Sequence, residues 1–207
     1  MLGAAATLYA CADASARRDN EAVMTTKPAV ASVQIGATLE VNDRQMSLVY
    51  RLRNASDVDL YVMDALFELK EGEVRIHDGL AYTLIDGRRL TLLRGVLAIP
   101  PNVQVEAPEM PYARLLPAHG TLDGRFQSSL PLEYNNPYDF SGGMATFDCT
   151  VVTLRIGYLS SRELSAPPRR VPGRQESFFK IDYREAIQVQ QLVETEEHTA
   201  TVPVRRR

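Results

Sequence analysis

The chain has 207 residues, of which 45% are hydrophobic and 24% charged, a balance typical of a globular protein with enough sequence to bury a core. Its net charge of -3 argues against nucleic acid as the principal partner, because phosphate binding requires a concentrated positive field. Two cysteines, Cys11 and Cys149, are too few for a disulfide framework or a cysteine-built zinc site, and no apolar run is long enough for a bilayer-spanning helix.

The first predicted elements are a tether and a β-hairpin. Residues 12–31 are small, polar and charged, which predicts a flexible tether. From Val33 to Val41 apolar and polar residues alternate, the period of a strand with one buried face. Asn42-Asp43 predicts a turn, after which QMSLVYRLRN resumes the alternation and completes the hairpin. Its buried face is predicted to carry Met46, Leu48, Tyr50 and Leu52.

Further strands are predicted along the middle of the chain. LYVMDALFELK is predicted as one strand, and Glu71-Gly72 as the turn into EVRIH. A second hairpin joins AYTLI to RLTLLRGVLAI through Asp86-Gly87, a dipeptide suited to a positive φ angle. Prolines between residues 100 and 117 predict a loop or an edge strand, because proline cannot donate to a sheet. Asp123-Gly124 is a turn signal before RFQSSLPL.

The last third of the chain contains the strongest strand pattern, ATFDCTVVTLRIGYL, in which Val152, Leu154, Ile156 and Tyr158 are predicted to face one way. SFFKIDYREAIQVQQLVE also alternates, although its part from Glu185 is compatible with a helix. Closely spaced turn signals without long helical patterns favour an all-β fold, an antiparallel immunoglobulin-like β-sandwich. We predict a signal-like segment and tether at 1–31, the sandwich domain at 32–195 and a frayed C-terminal tail at 196–207.

The N-terminal tetrapeptide Leu8-Tyr9-Ala10-Cys11 resembles a bacterial lipobox, the end of a signal peptide whose cysteine becomes lipidated. The resemblance implies a lipid-anchored protein of the bacterial periplasm or cell envelope, with Cys11 as the acylated residue. The tether would then hold the domain away from the membrane surface. The alternative is a cytoplasmic protein with an ordinary N-terminus and an incidental cysteine.

Two loops are candidates for partner binding. The first, PLEYNNPYDFSGG, combines aromatic and amide side chains of the kind that recognise proteins or glycans, namely Tyr134, Asn135, Asn136, Tyr138 and Phe140. The alternative is that its rings fold back and close the end of the sandwich. The second, RELSAPPRRVPGR, offers cations for an anionic group, of which we single out Arg169, Arg170 and Arg174. The alternative for this loop is simple solvation.

The stretch LRNASDVDLYV is similar to immunoglobulin-like modules of bacterial envelope proteins. Its sequon Asn54-Ala55-Ser56 is interpreted as a turn in which side chains satisfy local backbone donors, rather than as a glycosylation site.

Nothing in the sequence has the pattern of a catalytic or cofactor site. The three histidines lack metal-ligand spacing, and no nucleotide-binding or nucleophile motif is present. Cys149 lies among strand formers and is predicted to pack in the core. We therefore predict a protein that is not an enzyme and has no cofactor.

The resulting expectation is a non-enzymatic interaction or structural module of a bacterial cell envelope. Its partner would be a protein or an envelope glycan, and its contact with the membrane would be through the lipid anchor. The alternative is a structural subunit of a larger assembly of the phage, secretion or pilus type, in which both tails order against neighbours.

Overall fold

The computed structural model describes residues 33–70, 73–77, 79–106, 110–140, 143–171 and 178–206. The predictions for the lipobox-like segment with Cys11, the tether at 12–31, the Glu71-Gly72 turn and Arg174 lie outside the described residues. The described strands, in chain order, are β1 (Val33–Val41), β2 (Gln45–Asn54), β3 (Leu60–Met63), β4 (Leu66–Lys70), β5 (Glu73–His77), β6 (Tyr82–Asp86), β7 (Arg89–Arg94), β8 (Tyr112–Leu116), β9 (Thr121–Ser129), β10 (Leu132–Glu133), β11 (Ala145–Ser160), β12 (Arg169–Arg170), β13 (Phe178–Lys180), β14 (Gln191–Glu194) and β15 (His198–Arg206). A short helix, α1 (Tyr183–Val189), precedes β14. No described helix is long and apolar enough to cross a membrane.

The smaller layer is an antiparallel sheet with strand order β1-β2-β9. The predicted hairpin is confirmed: β1 pairs with β2 without interruption from Val33 opposite Asn54 to Val41 opposite Met46. Asn42 closes the turn, because its side-chain oxygen accepts from the backbone N–H groups of Arg44 and Gln45. The alternating side chains of β2 that were predicted to be buried are at most 2% exposed.

The larger layer is organised around β11, which has 16 residues and is paired on both sides. One side pairs antiparallel with β14 and β15. The other pairs with β7 and β3, beyond which lie β8, β13 and β12. Most pairings are antiparallel, as predicted, whereas β7 with β11 and β10 with β15 are parallel, so this sheet is mixed.

The core lies between the two layers and confirms an all-β sandwich. Val152, Leu154 and Ile156 of β11 are fully buried on the face predicted for them, against Leu48 and Leu52 of β2 in the same cluster. Apolar surface removed from water in this way is the main source of stability. Cys149 is fully buried in that cluster, as predicted, and burial raises the pKa of its thiol.

The predicted C-terminal tail is wrong, because His198–Arg206 forms β15. This strand pairs with β11 over almost its whole length, and Val202 and Val204 are fully buried. The charged stretch at the chain end conceals a period-two pattern whose apolar members face the core. The sandwich therefore continues to Arg206 rather than ending near residue 195.

The prolines do not place β8 at an edge, contrary to prediction. Pro111 and Pro117 flank the strand, so every residue from Tyr112 to Leu116 keeps a backbone donor. The strand pairs with β3 on one side and β13 on the other.

Asp123-Gly124 is not a turn, because β9 runs straight through it. Gly124 lies opposite Tyr50, and a β-carbon built there would come within 2.3 Å of the Tyr50 ring. The glycine makes room for a buried aromatic ring, a use that a sequence pattern cannot separate from a turn signal.

The alternative of a helix from Glu185 is close to what the structure shows. Asp182 caps α1 by accepting from the N–H groups of Arg184 and Glu185, and Gln190 ends it. The strand pattern resumes at once in β14.

Candidate functional site: an aromatic cavity beside a buried arginine

The segment predicted as a single strand from Leu60 is broken, and the break creates a cavity. β3 ends at Met63, Asp64 turns inward with only 2% exposure, and β4 begins at Leu66 in a different sheet. Beside this break lies a cavity of about 310 Å³. Its walls are mostly apolar and aromatic, and they comprise Met63, Ala65, Leu66, Phe67, Tyr82, Gly95, Val96, Leu97, Met110, Pro111, Tyr112, Tyr138 and Tyr183.

Contacts between aromatic rings fix one wall of the cavity. The Phe67 ring lies 4.7 Å from the Tyr112 ring and 5.3 Å from the Phe178 ring, measured between centroids. Tilted and edge-on arrangements of this kind are the favoured ones for aromatic pairs. They fix Phe67 and Tyr112 at the wall although β4 belongs to a separate two-stranded sheet.

The helix α1 positions a second wall through Tyr183. The Tyr183 hydroxyl donates to the carbonyl oxygen of Leu97 at 2.9 Å and accepts from the Ile99 N–H at 3.3 Å. These bonds tie the helix to the segment after β7. The Tyr183 hydroxyl is thus used for structure, while its ring forms part of the lining.

Gln190 holds the backbone of this same segment. Its amide oxygen accepts from the Val96 N–H at 2.7 Å, and its amide nitrogen donates to the Val96 carbonyl at 3.1 Å. The side chain passes close to Gly95 and Gly157, where built β-carbons would lie 2.8 Å and 2.4 Å from its amide oxygen. The two glycines and Gln190 therefore act together to place Val96 and Leu97 at the cavity.

The other side of the break holds a buried arginine, Arg94, which is 1% exposed. Its Nη1 donates to three oxygens: the Tyr50 hydroxyl at 3.0 Å, the Asp64 carbonyl at 2.7 Å and the Arg125 carbonyl at 2.8 Å. Its Nε donates to the Leu80 carbonyl at 3.2 Å. One guanidinium thus connects β2, β9 and the break after β3.

The Asp64 carboxylate supplies negative charge beside this guanidinium. Arg114 pairs with it through two nitrogens, with 2.9 Å from Nε to Oδ1. The Tyr50 hydroxyl donates to Asp64 Oδ2 at 3.1 Å. Burial, followed by the charge of Asp64, raises the pKa of Tyr50, so this hydroxyl remains a donor. The buried donors and acceptors at this position are hydrogen-bonded to each other, as is typical of a network that stabilises the fold.

In the aromatic loop at 134–140, three of the predicted residues make contacts that stabilise the loop. Tyr134 folds back: Arg206 lies 4.4 Å from its ring centroid, and its hydroxyl donates to Asp139 at 2.5 Å. Asn135 is also structural, because its amide nitrogen donates to the Ala81 carbonyl at 3.0 Å. Asn136 accepts from the Tyr138 N–H at 3.1 Å and shapes the turn.

The same loop brings Tyr138 to the cavity. Tyr138 is half-buried and is one of the residues that line the cavity. Phe140, two residues further on, is 72% exposed and is not part of the lining. Of the five residues predicted in this loop, Tyr138 is the one that the structure places at the candidate site.

No described residue of the arginine loop is part of the cavity lining. Arg169 and Arg170 form the two-residue strand β12, where both are exposed. Arg174 lies outside the described residues. Neither described arginine lines the cavity.

The sequon is a turn, as predicted. Asn54 is fully buried, its oxygen accepts from the Ser56 N–H at 3.0 Å, and its nitrogen donates to the Val58 carbonyl at 2.7 Å. The amide nitrogen that would carry a glycan is therefore occupied in the folded chain.

Among the described residues, no three His, Cys, Asp or Glu side chains are grouped so that they could hold a metal ion. His119 is exposed and lies 2.8 Å from Asp57. Comparisons of the chain with protein-family models, curated proteins and solved structures gave no match.

Proposed function

We propose that the chain is a non-enzymatic binding module of a bacterial cell envelope, which engages its partner through the aromatic cavity. The observation that carries this proposal is the cavity itself, lined by four tyrosine rings, a phenylalanine and two methionines beside the strand break. Aromatic and methionine side chains are enriched where proteins bind partners, and an open volume of this size is at the lower end of ligand-binding pockets.

The chemistry of the walls favours an uncharged, planar or aliphatic group. Among the residues that the structure describes, no Asp, Glu, Lys or Arg side chain lines the cavity, so a charged group that entered it would lose its hydration without an opposite charge from them. Aromatic rings offer faces for an apolar side chain or for the apolar face of a sugar ring. An apolar side chain presented by an envelope protein is the preferred occupant, and a glycan ring is the second.

The cell-envelope part of the proposal is based on the lipobox-like Leu8-Tyr9-Ala10-Cys11. A lipidated Cys11 followed by the polar tether would place the domain at a membrane surface. Mass spectrometry of the N-terminus of native protein tests this part separately. An acylated Cys11 supports it, and an unmodified N-terminus upstream of Cys11 overturns it.

The alternative function, a subunit of a larger assembly in which both tails order against neighbours, is weakened at its C-terminal tail. Residues 198–206 are already a strand of the chain's own sheet, so they are not available to a neighbouring subunit.

The cavity is tested by titrating the chain with N-phenyl-1-naphthylamine, an uncharged aromatic dye whose fluorescence rises in apolar sites. We expect saturable binding that Tyr138→Ala weakens about tenfold, the order of effect for an aromatic wall at a binding site. Phe140→Ala is the matched control, because it removes a ring from the same loop outside the cavity. Equal affinity in both variants, or no binding to the parent chain, contradicts the proposal.

A further inference from the structure

The two edges of the small sheet are finished differently. At the β9 edge, Arg94 donates to the Arg125 carbonyl at 2.8 Å and Arg114 donates to the Asp123 carbonyl at 3.3 Å. These carbonyls point away from β2, and the arginines occupy positions at which a further strand would have to bond. The β9 edge is therefore closed by side chains from the facing layer.

The β1 edge is long, regular and open within the described part of the chain. Backbone groups alternate in direction along an antiparallel strand, so the register that turns Asp123 and Arg125 outward also turns outward every second residue of β1. These are Val33, Ile35, Ala37, Leu39 and Val41. Their outward N–H and C=O groups have no hydrogen-bond partner among the described residues.

β1 also lacks the usual protection against strand pairing. Natural edges carry lysines, prolines, bulges or very short strands. The described edge strands of the larger sheet are shorter than β1: β10 and β12 have two residues each, β14 has four and β6 has five. β1 has nine residues with no proline, lysine or arginine, and its pairing with β2 has no bulge.

The sequence of β1 is complementary to itself about Ala37. If two copies pair antiparallel with Ala37 opposite Ala37, Ile35 faces Leu39 and Val33 faces Val41, so the apolar faces coincide. On the exposed face Gly36 lies opposite Thr38, and Gln34 lies opposite Glu40, which keeps the two copies of Glu40 apart. In this register each odd-numbered residue of one β1 lies opposite an odd-numbered residue of the other. The outward N–H and C=O groups of the two strands therefore face each other and can form hydrogen bonds.

We propose that β1 is a self-association surface, through which two copies of this chain pair edge to edge with two-fold symmetry. The two small sheets then form one continuous six-stranded antiparallel sheet. The interface is isologous, since the same strand is used by both copies, and it closes at the dimer. The cavity and Tyr138 are not part of this surface, so the proposal is independent of the cavity's ligand.

The test is analytical ultracentrifugation of the full chain at concentrations up to about 100 μM, a range in which weak, specific homodimers are detected. We expect a dimer whose dissociation constant rises at least about tenfold in the double variant Gly36→Lys/Thr38→Lys, because lysines then face each other twice across the axis. A built β-carbon at Gly36 meets no atom within 4 Å, and Thr38 is exposed, so both lysines are accommodated in the folded monomer.

Two controls make the result specific to the β1 edge. Thr121→Lys/Ser129→Lys adds the same charge at exposed positions of the arginine-capped β9 edge and should leave the dimer intact. Mixing the lysine pair with Gly36→Glu/Thr38→Glu should restore association as a heterodimer, which an unfolded variant could not do. A monomeric parent chain, or equal weakening by both lysine pairs, overturns the proposal.

Discussion

The arginine network and the aromatic cavity lie on either side of the same strand break, and they differ in how completely their groups are used. At Arg94, buried donors and acceptors meet each other at 2.7–3.2 Å and connect strands of both layers. At the cavity, mostly apolar and aromatic side chains line an open volume of about 310 Å³. Apolar and aromatic linings of this kind are typical of ligand pockets. The comparison indicates that the first region stabilises the fold, whereas the second is available for binding.

The largest expected effect is loss of stability when the network is broken. Arg94→Met keeps most of the side-chain volume but leaves the Tyr50 hydroxyl and three backbone carbonyls without this donor. We expect a loss of about 3–5 kcal/mol in the free energy of unfolding, measured with urea, because four acceptors lose this donor and an unsatisfied buried group costs about 1–3 kcal/mol.

Arg51→Met is the matched control for this prediction. It makes the same chemical change at an exposed arginine paired with Asp123, for which we expect a much smaller loss, because solvent screens the pair. Similar losses in the two variants would show that the buried network does not have the structural role given to it.

A middle-sized effect is expected at Gln190, which affects both stability and binding. Gln190→Leu removes both hydrogen bonds to the Val96 backbone. The Val96 N–H is then unsatisfied, and we expect the free energy of unfolding to fall by about 1–3 kcal/mol. Because Val96 and Leu97 then lose their fixed position, the dye affinity of the cavity should also fall.

Gln191→Leu separates the two effects of that substitution. Gln191 bonds Tyr158 and Glu163 and is not one of the residues that line the cavity, so its replacement should reduce stability without changing dye affinity. Unchanged dye affinity in Gln190→Leu would contradict the positioning role of Gln190.

The smallest effect on stability is expected from filling the cavity. Leu97→Trp adds bulk at the wall and introduces a tryptophan into a chain that has none. We expect a change in unfolding free energy within about 1.5 kcal/mol, together with loss of dye binding. Dye binding is measured by the fluorescence of this tryptophan and of the dye. Binding that persists in Leu97→Trp would place the binding site elsewhere.

The sequence predicts the strands well where burial alternates without interruption. β1, β2 and β11 have this pattern, and their buried faces are those predicted. It fails where a residue type has two uses. Gly124 makes room for Tyr50 instead of turning the chain, and Pro111 and Pro117 flank β8 instead of weakening it. β15 was missed because its charged surroundings resemble a tail.

Tyr138 is the one residue of the candidate site that was predicted from the sequence, because the other lining residues come from segments that are far apart in sequence. Phe67, Tyr112 and Tyr183 meet only through the sheet order β3-β8-β13 and the position of α1. Arg94 had a detectable signal, since a charge in the apolar run RLTLLRGVLAI requires buried partners. Those partners, Tyr50 and Asp64, cannot be identified without the fold.

The most direct test of the central claim, that the cavity is the binding site, is NMR of the chain labelled at its methionine methyl groups and titrated with N-phenyl-1-naphthylamine. Met63 and Met110 line the cavity, whereas Met46 is buried in the main core and Met144 is 92% exposed. We expect the aromatic dye to shift the Met63 and Met110 resonances and to leave those of Met46 and Met144 unchanged. Shifts confined to Met144, or equal shifts at all four, would contradict it.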